Sequence, residues 1–345
     1  SFHGGLEYYL VKQLEIRDVR LAYNPAGSIG KYGCDIDNWM WPRHTGDFSF
    51  YRAYVSKGGL PADYSVDNVP YQPKNFLKVS AKGVCEGDFV MVTGYPGRTN
   101  RYRTASEVEN QFEWAYPEAK MLRERFMKII NETAEEGSDE RIKYESLLAG
   151  LANYAKNFTS MIEFYAKSPM LADRKSREND LADWISKDTQ RQEQYGKTLA
   201  TLDELIAEGQ EDQARDIILG YIRYTTMLPT ARRLYRLANE KSLADIDREP
   251  GYQQRDMIRF KSSMERIDRR YAASVDKALL LEMLKRYAVL PQNERIDALD
   301  KVFGLGKVLN EARLSRILDR MYARTTLGDM DSRLAWLEKS VEDFK

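Results

Sequence analysis

Near Arg98 the periodicity of this chain changes, and no single layer of secondary structure accommodates both halves. Upstream, short runs rich in β-branched and aromatic residues recur: Tyr8 to Val11, Val19 to Tyr23, Phe48 to Val55, Phe76 to Val79 and Phe89 to Thr93. Turn clusters separate them, among them Asn24-Pro25-Ala26-Gly27, Lys57-Gly58-Gly59 and Gly94-Tyr95-Pro96-Gly97. Runs this short between Gly/Pro turns predict antiparallel barrel or sandwich strands rather than a parallel α/β sheet. Downstream, glycine and proline thin out and apolar residues fall at helical spacing. From Ser138, a predicted N-cap followed by Asp139 and Glu140, the stripe runs Ile142, Leu147, Leu148, Leu151, Tyr154, Phe158, Met161, Ile162 and Tyr165. Pro169 ends or kinks that helix. Further helical stretches are predicted at Leu199 to Ala207, Ala214 to Met227, Thr230 to Asn239, Val275 to Val289, Lys307 to Tyr322 and Asp331 to Phe344. They share no fixed repeat length, so a solenoid is not expected. The reading is an α+β chain, mainly α, with a β half that needs partner strands from elsewhere. That is the expectation for a fragment of a larger protein.

Size and charge narrow the function. A chain of 345 residues exceeds what one core usually serves, so two domains are expected. Lys+Arg and Asp+Glu each total 53, and this balance argues against nucleic acid as the main partner, because phosphate binding needs surplus positive charge. No apolar run reaches the ~18 residues of a membrane span. The chain opens on Ser-Phe-His-Gly-Gly without a basic-then-apolar leader, and reads as mid-protein sequence. Only two histidines, His3 and His44, and two cysteines, Cys34 and Cys85, are present. With no CxxC or Cys/His spacing among them, a zinc site and other metal centres are not expected, and no cofactor motif occurs. A disulfide between Cys34 and Cys85 is left open, since spacing alone does not bring two cysteines together.

The densest chemistry lies between Gly33 and Arg52: three carboxylates, two tryptophans, Asn38, Arg43 and His44, with Pro42 in the middle removing a ladder donor. Such a polar, aromatic loop between strands is a candidate site, the alternative being tryptophans packed on a core and charges paired with each other. Asp47 sits between Gly46 and the alternating pair Phe48 and Phe50. A carboxylate held there by backbone amides would suit the orienting role in a serine hydrolase; a strand-capping aspartate is the plainer alternative. Its proximity to His44 is no evidence of pairing, because triads draw their members from distant parts of a chain. No nucleophile motif is present, and Gly27-Ser28-Ile29-Gly30 reads as a turn. Gly94 to Gly97 lacks the lysine and spacing of a phosphate loop.

Ser28 to Gly33, followed by Asp37-Asn38-Trp39-Met40-Trp41-Pro42-Arg43-His44-Thr45-Gly46-Asp47-Phe48-Ser49, resembles the signature of the bacterial serine dipeptidyl-peptidase family that includes dipeptidyl-peptidases 7 and 11. Phe2 to Tyr9, Asp18-Val19-Arg20 and Val90 to Gly97 are similar to that family as well, and the resemblance covers the chain. It implies the end of the first barrel of a chymotrypsin-like double barrel over residues 1–98, and an α-helical cap domain over 99–345. Asp47 then matches the triad aspartate, while the triad histidine and serine lie outside the chain; neither His3 nor His44 matches. Asn38, the main chain at Trp39, and Asn153 match the residues that bind the substrate amine. Gly150, Asn153 and Asn157 also form an uncharged stripe at helical spacing, for which a lightly solvated flank is the plainer reading. The implied partners are peptides with a free N-terminus, the implied location periplasmic or cell-surface, and the implied assembly a homodimer. The fragment alone is expected to be inactive. Acidic and hydrophobic preferences for the second substrate residue both stay open. Cys34 and His3 depart from the family, which commonly has a small residue and an aromatic there. Without the resemblance, the competing reading is a non-catalytic peptide-binding or scaffolding module, whose binding would not depend on a free N-terminus.

Overall fold

The computed structural model describes residues 10–344 except 11, 13, 35, 41, 92, 93, 95–99, 101, 307 and 308. His3, most of the strand expected from Tyr8 to Val11, Trp41 and most of Gly94 to Gly97 therefore lie outside the described residues. The chain divides into two compact units, Ser1–Asn100 and Arg101–Lys345, and is mainly helical with one small antiparallel sheet.

In the first unit β1 (Asp18–Tyr23), β2 (Phe50–Val55) and β3 (Val69–Pro70) form an antiparallel sheet in that order. Val19 pairs with Ala53 and Leu21 with Tyr51, and a bulge between Leu21 and Tyr23 shifts the register so that Tyr23 faces Phe50. Two of the expected strands are thus present. Those expected at Phe76 to Val79 and at Phe89 to Thr93 do not form among the described residues, and their side chains are exposed, Val79 fully so at 99%. A strand is held by ladder partners rather than by its own periodicity, and nothing among the described residues pairs with these segments. Val55 is the one large aliphatic side chain buried among the described residues of this unit.

A polar clamp holds the sheet's outer corner. Buried Asp18 accepts from Arg20 Nε at 3.0 Å and Nη2 at 2.8 Å and from Asn68 Nδ2 at 2.9 Å. Arg20 also donates to the Ser65 carbonyl at 2.8 Å and lies 3.9 Å from the ring centroid of Tyr54. The Arg20 hydrogen bonds, then the one from Asn68, hold the Asp18 carboxyl down at about 2 against an ordinary 3.8. A depressed carboxyl contributes stability that is present above its unfolded value and lost as pH falls through its folded value. Asp18→Asn is therefore expected to destabilise the chain at neutral pH, and the gap between the two proteins to close between about pH 4 and pH 2. Urea unfolding at a series of pH values measures it; a gap undiminished at pH 2 would locate the effect elsewhere.

The second unit is built from helices packed on one large core. The central Ala273–Ala288 helix is buried over much of its surface, with Val275, Leu279, Leu280, Met283, Leu284 and Tyr287 in the core and the carboxylates Asp276 and Glu282 buried as well. Tyr116–Thr133 supplies Leu122, Phe126 and Ile130 to that core, and Glu311–Arg324 supplies Leu314 and Leu318. A smaller cluster of Leu234, Leu237, Phe260 and Met264 lies apart from it. The helix expected from Ser138 runs Asp139–Lys167, with Ser138 Oγ accepting from the Arg141 amide at 3.1 Å, and Pro169 stands before the next helix, Met170–Ser186. Its buried stripe is Tyr144, Leu148, Leu151 and Ala155, whereas Ile142 is exposed, so the inward face is rotated from the expected one.

The helix expected from Ala214 to Met227 is Gln213–Ile222, ending five residues early, and the one expected from Thr230 to Asn239 is Met227–Lys241, starting three residues early. Asp276 divides them by accepting from the amides of Thr226 and Met227, which opens a new helix with Pro229 in its first turn, where a missing amide costs nothing. The helix expected from Lys307 to Tyr322 is observed as Glu311–Arg324. The one expected from Asp331 reduces to Met330–Ala335 followed by single 3₁₀ turns.

Candidate functional site

Of the segment between Gly33 and Arg52, the described residues up to Ser49 form a turn-rich loop that returns on itself, and β2 begins at Phe50. Gly27–Gly30, expected as a turn, is a single helical turn. The Gly46 amide donates to the Ile29 carbonyl at 3.0 Å, and Thr45 Oγ1 donates to the Tyr32 carbonyl at 2.8 Å, which closes the loop's base. Gly33 has φ +73°, and a Cβ there would lie 2.0 Å from Asp37 Oδ2, so this turn requires glycine. Beyond it, Tyr23, Phe48 and Phe50 gather at the bulged end of the sheet, with ring centroids 5.6 to 6.4 Å apart.

Asn38 and Trp39 stand at the turn of this loop. Arg43 Nη1 donates to Asn38 Oδ1 at 3.1 Å, and Arg43 Nε donates to Thr45 Oγ1 at 3.2 Å. The guanidinium thereby fixes which way the amide points, because only its oxygen can accept from Arg43. Trp39 has φ +61°, a left-handed conformation that a bulky aromatic rarely adopts. Strain of this kind, worth about 1–3 kcal/mol, persists where surrounding structure enforces it and concentrates at binding and catalytic sites. Half of the Trp39 side chain is exposed. Asp47 is exposed, and among the described residues no hydrogen bond or ion pair holds its carboxylate, so the backbone-amide clamp envisaged from the sequence is not formed. His44 is also exposed.

In the helical unit Asn153 lies half-buried in the Asp139–Lys167 helix, one turn before the half-buried Asn157 and one after the exposed Gly150. The aromatic side chains beside that stripe do pack. Phe158 stacks on Tyr116 at 4.7 Å between centroids, and Tyr165 stacks on Phe112 at 4.6 Å. Phe112 lies in a π turn, Gln111–Ala115, that joins Ala105–Asn110 to Tyr116–Thr133 and that no sequence pattern announces. Arg123 rests over Phe158 at 4.8 Å and over Tyr154 at 5.3 Å, donating to the Ala119 carbonyl and to Tyr221 Oη. Its Nε is buried with no hydrogen-bond partner among the described residues. The sequence carries no signal for Arg123, because its aromatic surroundings come from two other helices, Asp139–Lys167 and Gln213–Ile222.

Among the described residues, no group of His, Cys, Asp or Glu has the arrangement of a metal site. Cys34 and Cys85 are both free and exposed. No helix is long and apolar enough to cross a membrane among the residues described.

The chain as a whole has counterparts among known proteins. The family described as Peptidase S46 matches residues 1–345, and the chain belongs to that family. It is 42% identical over 345 residues to the Asp/Glu-specific dipeptidyl-peptidase of Shewanella putrefaciens, covering 100% of this chain and 46% of that protein. It is 34% identical over 291 residues to dipeptidyl-peptidase 7 of Capnocytophaga gingivalis, covering 83% of this chain and 40% of that one. The crystal structure of Porphyromonas endodontalis DPP11 in complex with the dipeptide Arg-Glu superposes with a TM-score of 0.54 at 26% identity, over 94% of this chain and 52% of that one. The chain spans about half the length of the curated relatives it matches.

Proposed function

We propose that this chain is part of a serine exopeptidase that releases dipeptides from peptides with a free N-terminus. The family match over residues 1–345, with relatives named dipeptidyl-peptidases, carries the reading. In it the sheet of the first unit belongs to a chymotrypsin-like barrel completed by strands outside this chain. The exposed apolar runs at Phe76 to Val79 and Phe89 to Met91 support that, since among the described residues of this unit Val55 is the one large aliphatic side chain buried. The helical unit serves as the cap that closes the non-prime end of the cleft, beyond the substrate's first residue, so that two residues fit before the scissile bond. Asp47 orients the triad histidine, which with the serine comes from the rest of the longer protein, and this chain alone is inactive.

Asn38 Oδ1, the main chain at Trp39 and the amide of Asn153 accept hydrogen bonds from the substrate ammonium. Neutral acceptors suit the task because they hold the cation without a charge that would also need burying. The serine Oγ attacks the carbonyl carbon of the second residue and expels the remaining peptide as its amine. Water then attacks the acyl-serine, returning the serine hydroxyl and releasing the dipeptide as its carboxylic acid. The Asp/Glu-specific name of the relative that covers 100% of this chain favours an acidic second residue. A periplasmic or cell-surface location and a homodimer complete the reading; cell fractionation and light scattering of the intact protein check them.

The test compares the intact protein on a dipeptidyl chromogenic amide with aspartate second and on its N-acetylated twin. Cleavage of the free amine alone is expected, because a blocked amine leaves buried acceptors unpaired at a cost of about 1–3 kcal/mol each. Asn153→Ala is expected to lower kcat/KM for the free amine by about 10- to 100-fold and to leave thermal stability nearly unchanged. Equal cleavage of both forms would remove the amine pocket, and cleavage of neither would favour the binding-module reading.

A further inference from the structure

The helical unit contains a cavity of about 540 Å³ whose lining holds five cationic side chains and no carboxylate. The walls come from the first turns of Asp139–Lys167, the turn before Met227–Lys241 together with that helix's first two turns, and the end of Met257–Glu265 with the 3₁₀ turn after it. Lys143, Arg223, Arg233, Arg266 and Arg270 converge there from the three walls. In a chain with 53 basic and 53 acidic residues, this is a local segregation of charge.

What the five cations do inside the protein distinguishes them from an ordinary solvated surface. Lys143 pairs with Asp139 at 2.8 Å, outside the lining. The four arginines make no ion pair among the described residues, although other arginines nearby do, Arg236 with Glu240 and Glu249 and Arg248 with Asp245 among them. Arg233 is half-buried, donates to Ser263 Oγ at 2.9 Å and lies 4.7 Å from the Phe260 centroid. Burial lowers its guanidinium from the ordinary value, since desolvation acts with no carboxylate nearby to offset it. The helix end at Met227 contributes nothing to anion binding here, because Asp276 already takes the Thr226 and Met227 amides. The side-chain cations are left, and guanidinium groups match phosphate and carboxylate oxygens in a bidentate fork.

We propose that this cavity is a binding site for a small polyanion bearing two or more phosphate or carboxylate groups. Its volume falls within the range of about 300–1,000 Å³ found for small-molecule sites. Arg233 supplies the charge at the floor, Arg266 and Arg270 the exposed rim, and Tyr144, Tyr224 and Ile267 an apolar wall for whatever carries the anionic groups. Binding neutralises a charge that the fold leaves uncompensated, so the occupied state is the more stable one. The inference stands independently of the peptidase reading.

Titration calorimetry of the intact protein with inorganic pyrophosphate and with citrate, at matched ionic strength, tests it. Saturable binding of one molecule per chain with Kd below about 1 mM is expected, weakening as sodium chloride is raised. Arg266→Gln with Arg270→Gln, both exposed, and separately Arg233→Gln, are each expected to weaken it at least about tenfold, while Lys57→Gln in the first unit leaves it unchanged. Binding of pyrophosphate alone identifies a phosphate ester as the natural class, of citrate alone a polycarboxylate, and of both the shared chemistry. No saturable binding of either, or binding untouched by the arginine substitutions, overturns the proposal.

Discussion

Asp47→Asn in the intact protein is expected to lower kcat on a dipeptidyl amide by about 10⁴-fold while KM changes little. The size of the effect follows from what the residue is asked to do. A triad aspartate keeps the histidine in the tautomer that can accept the serine proton, and stabilises the imidazolium that forms as the serine attacks. Asparagine preserves the shape but presents an N–H where the acceptor should be, so the wrong tautomer is favoured. Within this chain the Asp47 carboxylate is exposed and takes no hydrogen bond from the described residues, so in the proposed role its imidazole partner comes from the rest of the longer protein. Steady-state kinetics on wild type and variant measure the effect, with circular dichroism to confirm that both fold. A loss smaller than about tenfold would take Asp47 out of the triad.

Arg333→Met is expected to destabilise the helical unit by about 3–5 kcal/mol, a drop on the order of 10 °C in its unfolding midpoint. Arg333 has no exposed surface, yet it is charged. Nη1 donates to the carbonyls of Leu327 at 2.8 Å and Gly328 at 2.9 Å, Nε donates to that of Met264 at 3.3 Å, and Nη2 pairs with Asp268. One side chain thus ties the chain's last segment to the end of the Met257–Glu265 helix. Removing it strands three carbonyls, and the lost hydrogen bonds of these desolvated acceptors are the main cost. Arg333→Lys keeps the charge but cannot span the same fork, and is expected to be nearly as damaging. The exposed pair Lys339–Asp343, 3.4 Å apart, is the comparison: Lys339→Ala is expected to cost less than about 1 kcal/mol. Differential scanning calorimetry of the three variants decides the matter. An Arg333→Met protein as stable as the Lys339→Ala one would mean that the carbonyls find other donors.

Much of the helical unit is legible along the chain because helices are local. Ser138, the acidic first turn behind it and Pro169 bound the long helix within two residues of where it lies, since caps and prolines act on neighbouring amides. The phase of that helix is not legible in the same way. Ile142 belongs to the apolar stripe by spacing but faces solvent, while Tyr144 is buried and its hydroxyl is pushed well above the ordinary range, mainly by desolvation. Which of two adjacent stripes turns inward depends on the neighbouring helix. A break is expected between Met227 and Thr230, but its place, from Ile222 to Met227, depends on Asp276, some fifty residues further on.

For the site, the residue types, the order of Asn38, Trp39 and Asp47, and the family all come from the sequence, since they are properties of one continuous loop. Fold class and the strands at Val19 and Phe50 follow from composition and alternation in the same way. Tertiary structure alone decided the rest: the left-handed turn at Trp39, the Arg43 hold on Asn38, the failure of Phe76 to Val79 to become a strand, and the basic cavity. The physical reason is common to all four. Periodicity, caps and turns are set by residues a few positions apart, whereas a strand's partner, a side chain's burial and a convergence of charges depend on segments that can lie far apart along the chain. Lys143, Arg233 and Arg270 carry no mutual signal until the helices bring them to one cavity.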